Sequence, residues 1–133
     1  MNIPSRFESL VNVAMGMLPK IEGSHAKHFS FILVNSKILA VGINHPFKTH
    51  PIAMKCGYRF DSIHSELAAV TQLRHKINFQ KCRLVNIRLS SSSLKYGKPI
   101  LRMSRPCILC IKWILLMNFK QIYYSTNEGF EKL

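Results

Sequence analysis

His64-Ser65-Glu66 and Pro106-Cys107-Ile108-Leu109-Cys110 are the stretches on which the reading of this chain turns. Each opens a predicted helix. Asp61 or Ser62 can cap the first. Ile63, Leu67, Val70 and Ile77 mark its buried stripe, and Ala68 and Ala69 allow close packing. Pro106 suits the first turn of the second helix, which runs to about Asn118. That helix is apolar nearly all round, so it is expected to be well buried, with Trp113 in the core. Cys107 and Cys110 share one of its faces, and a helix N-terminus favours the negative charge of a thiolate. One histidine and two thiolates are a zinc-type donor set, and three protein ligands leave a coordination position open. Glu66 lies two residues from His64, so both reach one pocket only if the helix end, rather than its flank, faces it. Two alternatives stay open. One is a closed structural zinc site completed by Cys56 or Cys82, and the other is a metal-free pair of cysteines beside an unrelated histidine.

Working outward, Phe7, Leu10, Val11, Ala14, Met17 and Leu18 recur at helical spacing between Pro4-Ser5 and Pro19. Residues 28–34 and 38–43 read as a strand pair around a turn at 35–37. Residues 44–60 form a loop of about 17 residues, long enough to carry function. Residues 82–89 read as a third strand, with Val85, Ile87 and Leu89 on one face. Residues 90–104 form a second long loop, 121–125 a last strand and 126–133 a short tail. The order is α-β-β-α-β-α-β. A helix between the third and fourth strands implies a parallel pair with a right-handed crossover. The chain therefore reads as one α/β domain over residues 1–133, a mixed sheet flanked by helices.

Charge narrows the partners. There are 19 Lys plus Arg against 6 Asp plus Glu, a net charge of +13. Between Glu66 and Glu128 there is no acid, while 11 basic residues fall there. Such an excess attracts polyanions; the competing reading is a site for a phosphorylated small molecule. The longest apolar run, residues 107–117, is interrupted by Lys112 and is short of the roughly 20 residues of a membrane span. With no convincing secretory signal, an intracellular protein without a membrane partner is expected.

The joint pattern H-x-E…P-C-x-x-C resembles that of the cytidine deaminase-like superfamily of zinc enzymes. The resemblance spans nearly the whole chain. It implies a three-layer α/β/α mixed sheet in a compact four-to-five-stranded version. It implies zinc (Zn2+) held by His64, Cys107 and Cys110, with Glu66 moving protons in a hydrolytic deamination. Family members usually carry alanine where this chain has Ser65, whose backbone N–H is expected to hold the base carbonyl. Gly42-Ile43-Asn44 is similar to the family's Gly-x-Asn, which makes Asn44 an expected sugar contact; a strand-ending turn asparagine is the alternative. Lys48-Thr49-His50-Pro51, Ser104-Arg105-Pro106-Cys107 and Tyr123-Tyr124-Ser125-Thr126 are similar to small viral and phage-type members.

The expected substrate is cytosine in single-stranded DNA or RNA. Lys81, Arg83, Lys95, Lys98, Arg102 and Arg105 would follow phosphates, and Tyr96 or Phe47 would stack on bases. The alternative is a free pyrimidine nucleoside or nucleotide, with Lys48 or Arg105 on its phosphate. Adenosine in tRNA and a non-catalytic nucleic-acid-binding module are further alternatives. With eight residues after Ser125, the sheet edge is expected to differ from longer relatives, and a homo-oligomer is expected to cover apolar surface.

Overall fold

The computed structural model describes residues 3–20, 27–44, 64–73 and 77–133. Helix α1 (Ser5–Met17) precedes strands β1 (Lys27–Val34) and β2 (Lys37–Ile43). Helix α2 (Ser65–Val70) is followed by strand β3 (Arg83–Leu89). A short helix α3 (Ser92–Tyr96) and a two-residue strand β4 (Leu101–Arg102) come next. Helix α4 (Ile108–Met117) leads to β5 (Gln121–Thr126) and β6 (Gly129–Lys132). The strands form one six-stranded mixed sheet in the order β2-β1-β3-β5-β6, with β4 also paired to β3. The β3–β5 pair is parallel and the others are antiparallel, as a crossover through α4 requires.

Period-two alternation sorts the sheet into two faces. Phe29, Phe31 and Leu33 of β1 and Val85, Ile87 and Leu89 of β3 pack with Phe7, Leu10, Val11 and Ala14 of α1. Ile32 and Leu84 point the other way and pack with Ala69 of α2 and Ile114 of α4. Helices thus cover both faces, giving three layers.

Several expectations need correction. The sheet has six strands, not four or five, because residues 101–102 add β4 and the tail turns back as β6 over 129–132. Phe130 stacks on Phe7 with ring centroids 4.3 Å apart, which fastens this last strand against the first helix. The 90–104 segment is not a plain loop, since it holds α3 and β4. Helix α2 ends at Val70, short of Ile77, which is exposed. The Thr71 hydroxyl there donates back to the Ala68 carbonyl at 3.1 Å, and the Gln72 side chain donates to the Val41 carbonyl at 2.6 Å, tying the helix end to β2. Helix α4 starts at Ile108, not Pro106, and it is not well buried. Cys110 and Ile114 are its buried residues, while Ile108, Leu115 and Leu116 are exposed. Trp113 is half-buried, packed against the α2 side of the core. Asp61, Ser62, Ile63, Phe47, Lys48, Cys56 and the 45–60 part of the first loop lie outside the described residues. No described helix is long and apolar enough to cross a membrane.

Gly42 sets how closely α2 sits on β2. A Cβ there would run into the Ser65 carbonyl oxygen and the Ala69 backbone nitrogen. Both obstacles are backbone atoms of one helix, so relief requires moving α2 as a unit. Gly42→Ala is expected to lower stability by about 1–3 kcal/mol or more, as overpacking does, measured as a fall in the urea unfolding midpoint.

Candidate metal centre

The two halves of the motif meet at two helix starts. His64 is the N-cap of α2, with an extended backbone at φ −79° and ψ 156°. Cys107 is the N-cap of α4, also extended, and its sulfur accepts the Cys110 N–H at 3.4 Å. Neither cap residue is inside its helix, contrary to the first-turn placement expected. This is what reconciles His64 with Glu66. The cap's non-helical backbone frees the His64 side chain from the 3.6-residue rotation, so both side chains line one pocket.

His64 Nδ1 lies 3.5 Å from the Cys107 sulfur and 3.5 Å from the Cys110 sulfur. The three ligand atoms are within 4.8 Å of one another. A tetrahedral zinc, with bonds of about 2.0–2.1 Å to nitrogen and about 2.3 Å to sulfur, separates a nitrogen from a sulfur ligand by about 3.5–3.6 Å and two sulfurs by about 3.8 Å. The residues therefore fit a bound zinc, with His64 ligating through Nδ1. Cys110 is fully buried against Leu67, and Cys107 is half-buried. Cys82 does not join them. It lies in the α4-side core, its S–H faces the Asn78 carbonyl at 3.6 Å, and burial pushes its thiol up.

The pocket, of about 210 Å³, is lined by His28, Asn44, His64, Ser65, Glu66, Ser104, Arg105 and Cys107. Asn44, Ser65 and Arg105 are thus brought together with His64 and Cys107 of the metal-capable group and with Glu66. Asn44 Oδ1 also accepts the His28 N–H at 3.1 Å, which fixes its side chain at the strand end. A larger cavity of about 450 Å³ lies by the N-terminal end of β3, near Arg6 and Arg83. Among its described lining residues there is no histidine, cysteine or carboxylate.

Glu66 is buried at 5% exposure and is held from behind. Its Oε1 is 3.1 Å from the Ser65 hydroxyl, which is 2.8 Å from the Ser30 hydroxyl. Ser30 is 2.7 Å from Asn86 Oδ1. A carboxamide oxygen carries no proton, so Ser30 donates to Asn86, and Ser65 donates either to Ser30 or to the Glu66 carboxylate. Asn86 Nδ2 donates to the Ser104 carbonyl at 3.2 Å, while the Ser104 hydroxyl donates to the Asn86 carbonyl at 2.9 Å. The Ser125 N–H donates to Ser104 Oγ at 2.7 Å. A buried run of polar contacts thus extends from Glu66 on α2 to the segment that delivers Cys107.

Ser30, Asn86, Ser104, Ser125 and His28 were not among the sequence-based site residues. The signal was present in β3, where Leu84, Asn86 and Arg88 alternate with Val85, Ile87 and Leu89. Polar residues on the second face of a central strand need buried partners.

Burial, the Arg88 guanidinium and His64 together lower the His28 pKa from 6.5 to about 4. The imidazole is therefore neutral in the folded protein at neutral pH. The unfolded chain takes up this proton near 6.5 and the folded chain only near 4, so stability is lost as pH falls from 6.5 to about 4. Urea midpoints across that range are expected to fall more steeply for the wild type than for His28→Gln.

Comparison of the chain with protein-family models, curated proteins and solved structures finds no match. The metal-capable group of His64, Cys107 and Cys110 stands on its own geometry.

Proposed function

We propose that this protein is a zinc-dependent hydrolytic deaminase that converts cytosine to uracil, with the base presented on single-stranded nucleic acid. The observation that carries the reading is a zinc-sized His-Cys-Cys triad with the Glu66 carboxylate in the same pocket. Three ligands among the described residues, with an adjacent carboxylate outside the ligand group, suit a catalytic arrangement better than a closed structural one.

When bound, zinc supplies the Lewis acidity that makes water a nucleophile near neutral pH. The protein's own residues do the rest. Glu66 accepts the proton from the attacking water, delivers one to the ring nitrogen beside the amino-bearing carbon, and passes one to the departing amine. Cytosine and water become uracil and ammonia, so no redox partner is required. The Ser65 hydroxyl holds the carboxylate in place when it donates to Glu66. The Asn44 side chain lies at the pocket wall, where a sugar hydroxyl would meet it.

The net charge of +13 and the exposed Tyr96, with Lys95 Nζ 5.6 Å from its ring, support a nucleic-acid strand as carrier. A free pyrimidine nucleotide is the second reading. It is favoured by a pocket of about 210 Å³, smaller than the roughly 300–1,000 Å³ of sites for drug-sized ligands. The test is ammonia release by the zinc-loaded protein from cytidine, dCMP and single-stranded oligonucleotides. Release from oligonucleotides but not the small molecules supports the first reading. Release from dCMP alone supports the second, and release from none of them removes the deaminase reading.

A further inference from the structure

The strand registers place four polar residues in one line across the sheet beside the metal pocket. Phe29 pairs with Ile43, so the next position pairs His28 with Asn44, and the Asn44 N–H donates to the His28 carbonyl. His28 pairs with Arg88 in β3, and Arg88 pairs with Arg102 in β4. Directly paired residues share a face. Asn44, His28, Arg88 and Arg102 therefore run side by side on the face that carries the pocket, and the first two line it.

This line is electrostatically unbalanced. Arg88 and Arg102 sit directly opposite each other, an arrangement of like charges that repels. The Arg88 Nε is buried and has no hydrogen-bond partner. Neither arginine forms an ion pair among the described residues, and Arg102 is exposed. Arg105, also exposed, adds a third guanidinium at the pocket wall. Arg105 shares the pocket lining with the Glu66 carboxylate and also meets the Tyr124 hydroxyl, which donates to Glu131 at 2.9 Å. His28 is neutral and offers a polar ring between Asn44 and the arginines. Paired guanidiniums are forks suited to phosphate oxygens.

We propose that Arg88 and Arg102, with Arg105 at the pocket edge, hold a phosphate group of the substrate, so that the protein takes a phosphate-bearing pyrimidine in preference to a free nucleoside. The inference deepens the deaminase reading and rests on it for the pyrimidine, while the phosphate contact stands on the arginine line itself. An anion between the guanidinium ends relieves the repulsion between Arg88 and Arg102. A mononucleotide and a nucleic-acid strand share this chemistry.

Direct binding separates these outcomes. The zinc-loaded full chain is titrated with deoxycytidine, dCMP and a single-stranded oligodeoxycytidylate at low and moderate salt, with uracil assayed in the same samples. The phosphate-bearing ligands are expected to bind more than about tenfold tighter than deoxycytidine, as charge-assisted bonds provide. Arg88→Gln and Arg102→Gln are expected to remove most of that preference. Arg102 is exposed, so its variant reports binding even if Arg88→Gln fails to fold. Equal affinity for dCMP and the oligonucleotide assigns a single phosphate; tighter oligonucleotide binding with a steeper salt slope assigns a strand. Both outcomes support the proposal. Deoxycytidine binding as tightly as both other ligands overturns it even if uracil forms, and so does a phosphate preference unchanged in Arg102→Gln. A phosphate preference without uracil from any ligand sinks the deaminase reading and leaves the arginine line standing.

Discussion

Replacing Glu66 with glutamine is expected to lower kcat by about 10²–10⁴-fold, the range that positioned proton transfer contributes, while one zinc per chain remains bound. The reason is a separation of roles in the geometry. The metal-capable group consists of His64, Cys107 and Cys110, and Glu66 is not in it. Glu66 instead lines the pocket beside them and is braced by Ser65. Glutamine keeps the volume of the side chain in a site with 5% exposure and can still meet the Ser65 hydroxyl. It cannot take up and release a proton. Zinc content by elemental analysis and kcat on the same sample check this. Activity within about tenfold of wild type would deny Glu66 the proton-transfer role.

Cys110→Ser is expected to have the reverse signature, losing the metal first and activity as a consequence. Cys110 is fully buried, packed with Leu67, and its sulfur faces His64 Nδ1 at 3.5 Å. Serine offers a hydroxyl where zinc needs a thiolate. Changes one layer outside a metal site cost about 10–100-fold in affinity, so removing a ligand is expected to cost more than about 100-fold. The loss also appears in stability. Zinc at about a thousandfold over its Kd adds about 4 kcal/mol to the folded state, and a hundredfold weaker site forfeits about 2.7 kcal/mol of it. Thermal melts with and without zinc should show a metal-dependent rise for the wild type and little for the variant. An unchanged zinc affinity in Cys110→Ser would remove it from the ligand set.

Much of the fold was legible because its signals are local. Helix α1 carries its buried stripe in one run, β1 is rich in aromatic and β-branched residues, and β3 sets Val85, Ile87 and Leu89 on one face. The crossover through α4 was legible from element order and gives the parallel β3–β5 pair. What was not legible depends on distant partners. Residues 129–132 form a strand because β5 offers an edge and Phe7 offers a ring, and neither is visible in a short polar tail. The two residues of β4 are held by pairing to β3 and by Ser125 Oγ donating to the Arg102 carbonyl at 2.7 Å. The apolar run of α4 invited a fully buried helix, yet one face of it meets water, since composition does not say how many sides are covered. At the site, the grouping of His64, Cys107 and Cys110 into a metal-capable set was legible from the H-x-E…P-C-x-x-C pattern, because metal chemistry restricts residue types. The Ser30–Asn86–Ser104 chain was not, because serines and asparagines serve turns and surfaces as readily as buried networks. Lys48 lies outside the described residues, so of the expected substrate contacts Asn44, Ser65 and Arg105 are the ones placed at the pocket.

The most direct test of the account is uracil formation measured against zinc occupancy. Metal-free protein is titrated with zinc in the presence of an oligodeoxycytidylate and dCMP, and product is read at each addition. The account predicts a rate that climbs in proportion to bound zinc and levels off at one ion per chain. Full occupancy of the site with no uracil from either substrate would contradict it.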